Sequence, residues 1–103
     1  MNDFIGFFKL GVDVVWATFT TEDSDGGPSE PEATPIYRTY GESGDVIDTG
    51  SCVVHDAGTL VGSYRFALTP NSPNYTRGKS YEVKAIYSVD GVERRATFRF
   101  TLT

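Results

Sequence analysis

Cys52, His55 and Asp56 place a thiol, an imidazole and a carboxylate within five positions, the types a nucleophile and its base would need. Their spacing argues against that use. In extended chain, side chains alternate between faces, so an odd separation sends Cys52 and His55 to opposite sides. No second histidine is present, and no motif supplies an oxyanion hole. One cysteine and one histidine also fall short of a structural zinc site. The expectation is a small buried thiol and a loop-edge imidazole, without catalysis.

The stretch "DSDGG" places Asp23 and Asp25 before Gly26, as at the opening of a calcium loop. The twelfth position, where such a loop needs glutamate, is Thr34. Glu30 and Glu32 would have to complete an irregular site, so a solvated turn without metal is expected. Neither "GTLVG" nor "DGG" has the lysine of a phosphate loop. No spacing singles out a catalytic carboxylate pair. The sequence therefore predicts no enzyme and no cofactor.

The elements that would position these residues are strands. Apolar side chains recur every second position, which excludes a helical period. Residues 4–10 and 13–21 read as the first two strands. In the second, Val15, Ala17 and Phe19 face inward, with Val14 and Trp16 opposite; Trp16 is either a core residue over a sheet edge or an interface residue. Residues 22–34 hold five acids, two glycines, two prolines and no base, so they read as an exposed loop whose shortening the fold should tolerate. "PIYRTY" is a third strand. "VIDTGSCVV" is one bent strand or two short ones, with Gly50 as the bend. "SYRFALT" puts Tyr64, Phe66 and Leu68 on one face. The chain then closes on a hairpin, in which Asp90-Gly91 suits a type I′ turn. That turn pairs Val89 with Val92, Tyr87 with Arg94, Ala85 with Ala96, Val83 with Phe98 and Tyr81 with Phe100. Arg94 is expected to pack its stem and keep its head in water.

About seven short strands predict a single all-β domain over residues 1–103, an antiparallel immunoglobulin-like β-sandwich, with an eight-strand barrel as the runner-up.

Charge excludes some partners. The formal net charge is −5, which disfavours nucleic acid. Residues 1–56 carry 11 acids and 2 bases, net −9, whereas residues 57–103 carry 3 acids and 7 bases, net +4. Such a layout suits docking of copies or partners. "FIGFF" is far shorter than the roughly 20 residues of a membrane span, and Asp3 stands where a signal peptide would be basic. No membrane span and no signal peptide are expected. The lone Cys52 forms no internal disulfide.

From Leu10 to Thr103 the order of features resembles the immunoglobulin-like modules of tailed-phage virion proteins, found in tail fibres, baseplates and capsid decorations. "TPIYRTY" after an acidic turn, "GSYRFAL", and Gly78-x-x-Tyr81 entering the last hairpin carry the resemblance. The layout is also similar to bacterial macroglobulin-like sandwich domains. With one cysteine and no tryptophan between a cysteine pair, the chain departs from antibody domains. The resemblance implies a non-enzymatic structural virion protein, assembled in the host cytoplasm. Its partners would be copies of itself, a trimer being the first expectation, and a capsid or tail protein. The alternative is an adhesin module binding carbohydrate or a host surface, with Tyr37, Tyr40, Tyr75 or Trp16 as stacking platforms.

Interface residues are expected at the start. Phe4, Ile5, Phe7 and Phe8 crowd both faces of one extended segment, more than a first strand buries against its own core. Either residues 1–8 form an assembly arm that packs on a neighbour, or they lie between two layers of their own domain. Trp16 is the remaining interface candidate.

Overall fold

Strict alternation in the last two strands makes one long hairpin, and the rest of the chain is built around it. The computed structural model describes residues 2–55, 61–71 and 73–103. Its strands are β1 (Asn2–Phe8), β2 (Val15–Thr20), β3 (Ile36–Tyr40), β4 (Val46–Ser51), β5 (Val53–Val54), β6 (Ser63–Leu68), β7 (Ser80–Val89) and β8 (Val92–Leu102). They form two open sheets, β1-β8-β7-β3-β4 and β2-β6-β5. The protein is an all-β sandwich, not a closed barrel, and no helix occurs among the described residues.

The hairpin has the expected register in every pair, from Val89↔Val92 to Tyr81↔Phe100. Its turn is type I′ in character: Asp90 has φ 52° and Gly91 φ 77°. Arg94 departs in part, because its Nε is buried without a hydrogen-bond partner.

Of the two readings of "VIDTGSCVV", two short strands is the one the structure has, which makes eight strands among the described residues. The chain leaves the five-stranded sheet after Ser51 and enters the three-stranded one at Val53. The break is at Cys52, not at Gly50. The Cys52 N–H donates to Pro35 O at 2.9 Å, which holds the crossing point. Gly50 instead lies opposite Tyr37, whose ring covers the position a Cβ would occupy.

Aromatic rings join the sheets. Phe66 of β6 meets Tyr37 of β3 at 5.9 Å and Phe98 of β8 at 5.3 Å between ring centroids. Phe19 of β2 stacks on Tyr87 of β7 at 6.1 Å. Each such side chain stabilises by roughly 1.5–3 kcal/mol on burial. At the entrance to β7 the Tyr81 hydroxyl accepts the Thr76 N–H at 2.7 Å, which fixes the corner between β6 and β7.

The acidic loop is exposed for most of its length but is not loosely held. Ser29 N–H donates to Thr21 O, and the buried Thr21 hydroxyl donates to Ser29 O. Glu32 N–H donates to Ser88 O, and the Gly91 N–H donates to the Glu32 carboxylate. Removing residues 25–29 would therefore break the part-buried Thr21–Ser29 connection, which argues against the expected tolerance.

Candidate interaction surface

The surface begins with β1. This strand lies at the edge of the five-stranded sheet and pairs in parallel with β8, from Asn2↔Thr97 to Phe8↔Leu102. Residues 2–8 are thus part of the sheet and do not stand away as an arm. The register shifts between Phe4 and Gly6, where Gly6 has φ 129°. A bulge adds one residue and changes which side chains share a face. Here it turns Phe4 and Phe7 to the same, outer side, in spite of their odd spacing. Their rings meet edge to face at 5.3 Å between centroids. They remain 53% and 68% exposed. Ile5 and Phe8 pack against the core instead, Phe8 edge-on to Phe100 at 6.2 Å. The four expected interface residues are therefore split, two outward and two inward.

Next to Phe4 a row of cross-strand partners runs over the whole outer face: Phe4, Arg99, Glu82, Tyr40 and Val46. Lys84 lies over the Tyr40 ring at 5.0 Å and pairs with Glu82 at 3.5 Å. Tyr40, Glu82, Lys84 and Arg99, together with Ser80 and the turn at Gly41, line an open hollow of about 600 Å³. Cation–π contact holds Lys84 flat over Tyr40, so the hollow is lined by a ring and charges rather than by a deep apolar pocket.

Trp16 is 52% exposed and does not reach the core, contrary to its core reading. It lies opposite Ala67 on the outer face of the three-stranded sheet. Val14, Trp16, His55, Arg65 and Ala67 line a second, smaller hollow there. Tyr37 and Tyr75 are buried and cannot be stacking platforms, and Tyr40 is half-buried beneath Lys84. Tyr75 donates to Asp48 Oδ2 at 3.3 Å. Burial is the main force raising the Tyr75 pKa, reinforced by the negative charge of Asp48.

Cys52 is 2% exposed, whereas His55 is on the surface. Burial pushes the thiol pKa from 9.0 up to about 12, so no nucleophilic thiolate forms near neutral pH. Asp56, the third member of the trio, and most of "GTLVG" lie outside the described residues. In "DSDGG", Asp23 Oδ1 accepts the Asp25 and Gly27 N–H groups at 2.9 and 3.0 Å. The carboxylate closes its own turn. No group of three or more His, Cys, Asp or Glu side chains suited to a metal ion occurs among the described residues. No helix among them is long and apolar enough to cross a membrane.

Comparison with family models, with curated proteins and with solved structures finds no match.

The sequence marked Phe4, Ile5, Phe7 and Phe8 together and did not single out Phe4 and Phe7 as a unit. The signal available was Gly6 between two phenylalanines, since glycine inside a strand pattern marks a bulge.

Proposed function

We propose that this chain is a non-enzymatic structural protein of a tailed-phage virion, a capsid decoration or a tail or baseplate subunit, acting by protein–protein docking. It binds copies of itself and a shell or tail protein through the outer face of the five-stranded sheet. The observation that carries the reading is the exposed Phe4–Phe7 pair on the edge strand of a rigid, aromatic-filled sandwich.

Magnitudes support an anchor rather than a complete interface. Two half-exposed phenylalanines offer roughly 200–300 Å². At about 25 cal/mol per Å² that is ~5–7 kcal/mol before the cost of association. A standard interface needs about 800 Å² per partner, so the rest must come from the Arg99, Tyr40 and Val46 row.

Two features support the immunoglobulin-like part of the reading. The β2-β6-β5 and β8-β7-β3-β4 orders correspond to strands B-E-D and G-F-C-C′ of that fold. The Tyr81 hydroxyl on the Thr76 N–H is placed as in a tyrosine corner.

A second reading, carbohydrate binding by an adhesin module, draws on the exposed Trp16 beside Arg65. Sugar stacking on an exposed indole would quench or shift Trp16 fluorescence, and it is the sole tryptophan.

The test of the docking reading is binding of Phe4→Ser/Phe7→Ser protein to particles lacking the wild-type chain. The double variant should fold and bind at least about tenfold more weakly, a difference of ~1.4 kcal/mol. Undiminished binding would show that the phenylalanine pair is not the anchor.

A further inference from the structure

We infer that the outer face of the five-stranded sheet receives the acidic loop of a second copy of this chain, joining copies head to tail. The inference deepens the docking reading and rests on it for the use of this face.

The first observation is a charge imbalance that the fold leaves unresolved. Four bases reach the outer face: Arg38, Lys84, Arg95 and Arg99. Lys84 pairs with Glu82 at 3.5 Å and Arg95 with Glu93 at 3.2 Å. Glu42, at the rim of the hollow, is taken by Lys79 at 3.8 Å. Arg38 and Arg99 are exposed and have no ion-pair partner among the described residues. Arg38 also lies directly opposite Lys84, a like-charge pair that an outside carboxylate would relieve.

The second observation is the matching surplus of acid. In the loop, Asp23 is used by its own turn, Glu32 by the Gly91 N–H, and Glu30 by Tyr64. Glu22 and Asp25 are exposed, and among the described residues neither side chain has a partner. The loop thus presents two unpaired carboxylates to the solvent, and the sheet face two unpaired guanidiniums.

Within one chain the loop is anchored at the hairpin tip, away from the two guanidinium rows. Glu32 ties the loop to the tip of the β7–β8 hairpin through Ser88 and Gly91. Arg38 pairs with Lys84, and Arg99 with Glu82, five and seven residues before Val89 on β7. At about 3.4 Å per residue the guanidinium rows start roughly 17–24 Å from the tip. That exceeds the Debye length of about 8–10 Å at physiological salt, so the two rows are screened from charge held at the tip. Contact between copies brings them together. Because the two surfaces differ, the contact is heterologous and propagates into a ring or a chain instead of closing as a two-fold dimer. Phe4, next to Arg99 in the same row, adds an apolar margin to the face.

Sedimentation velocity on four samples over a rising concentration series tests this: wild type, Arg38→Glu/Arg99→Glu, Glu22→Lys/Asp25→Lys, and an equimolar mixture of the two variants. Wild type should associate beyond a dimer and weaken as ionic strength rises from about 0.05 to about 0.5 M. Each variant alone should associate at least about tenfold more weakly. The mixture should recover wild-type association, because every contact in an alternating chain again joins opposite charges. All substituted side chains are exposed, and unchanged circular dichroism would confirm that folding is kept. A wild type that stays monomeric, variants that associate undiminished, or a mixture that does not recover would each overturn the inference. Virion occupancy is measured separately, so failure here leaves the structural-protein reading standing, and absence from particles leaves self-association standing.

Discussion

Replacing Phe98 by alanine should remove a large part of the stability of the sandwich. Phe98 is 6% exposed, sits opposite Val83 on the inner face, and meets Phe66 of the other sheet at 5.3 Å between centroids. Truncation of a buried phenylalanine costs about 3–5 kcal/mol, the spread reflecting how far the cavity collapses. Collapse is limited here, because Phe66 is also held by Tyr37 at 5.9 Å. A domain of this size has about 5–15 kcal/mol in total, so the variant should be folded but close to its limit. At about 4–8 °C per kcal/mol, the Tm should fall by at least ~12 °C. Thr97→Ala is the control on the same strand. Thr97 faces outward opposite Lys84, and its replacement should cost no more than about 1 kcal/mol. Urea unfolding of the three proteins, followed by tryptophan fluorescence, gives both numbers from midpoints at constant slope. Equal losses at positions 97 and 98 would refute the face assignment on which the whole sandwich rests.

Gly62→Ala should be severely destabilising, because Gly62 has φ 75° and a Cβ there would approach Thr21 O and Ser29 O within 2.9 Å; thermal melts would show it. Excision of residues 25–29 should lower the Tm clearly, whereas Asp25→Ser should leave it within a degree or two, since only the excision cuts the Thr21–Ser29 connection. Cys52 should resist thiol reagents in the native protein at pH 8 and react on unfolding in urea. Above pH 9.0 the unfolded thiol ionises while the folded one stays neutral up to about 12. Stability from this group is therefore full below pH 9.0 and falls as pH rises, by at most about 1.4 kcal/mol per unit. Cys52→Ala should flatten that part of the pH profile.

The hairpin was the most legible part of the chain, because a two-residue Asp90-Gly91 turn fixes the register and period-two alternation fixes the faces. The sheet change at Cys52 was harder to place. Gly50 looked like the bend, yet the ring of Tyr37 needs a glycine opposite it, and that use leaves no trace in the alternation. β1 was legible as a strand but not as the parallel neighbour of β8, since its partner lies at the far end of the chain and periodicity carries no pairing information. Its bulge also broke the parity rule by which Phe4 and Phe7 should face opposite ways. Tyr37 and Tyr75 could not be removed from the stacking candidates by sequence, because a tyrosine can bury its ring and still satisfy its hydroxyl, as Tyr75 does on Asp48. The grip of Thr21 on Ser29 runs through backbone groups, which composition does not reveal.

Quantitative mass spectrometry of purified phage particles tests the proposed virion role most directly. A structural subunit should be present at a fixed copy number relative to the major capsid or tail protein, and should persist through repeated density-gradient purification. Loss of the protein from the particles during purification, or a copy number that varies between preparations, would contradict the account.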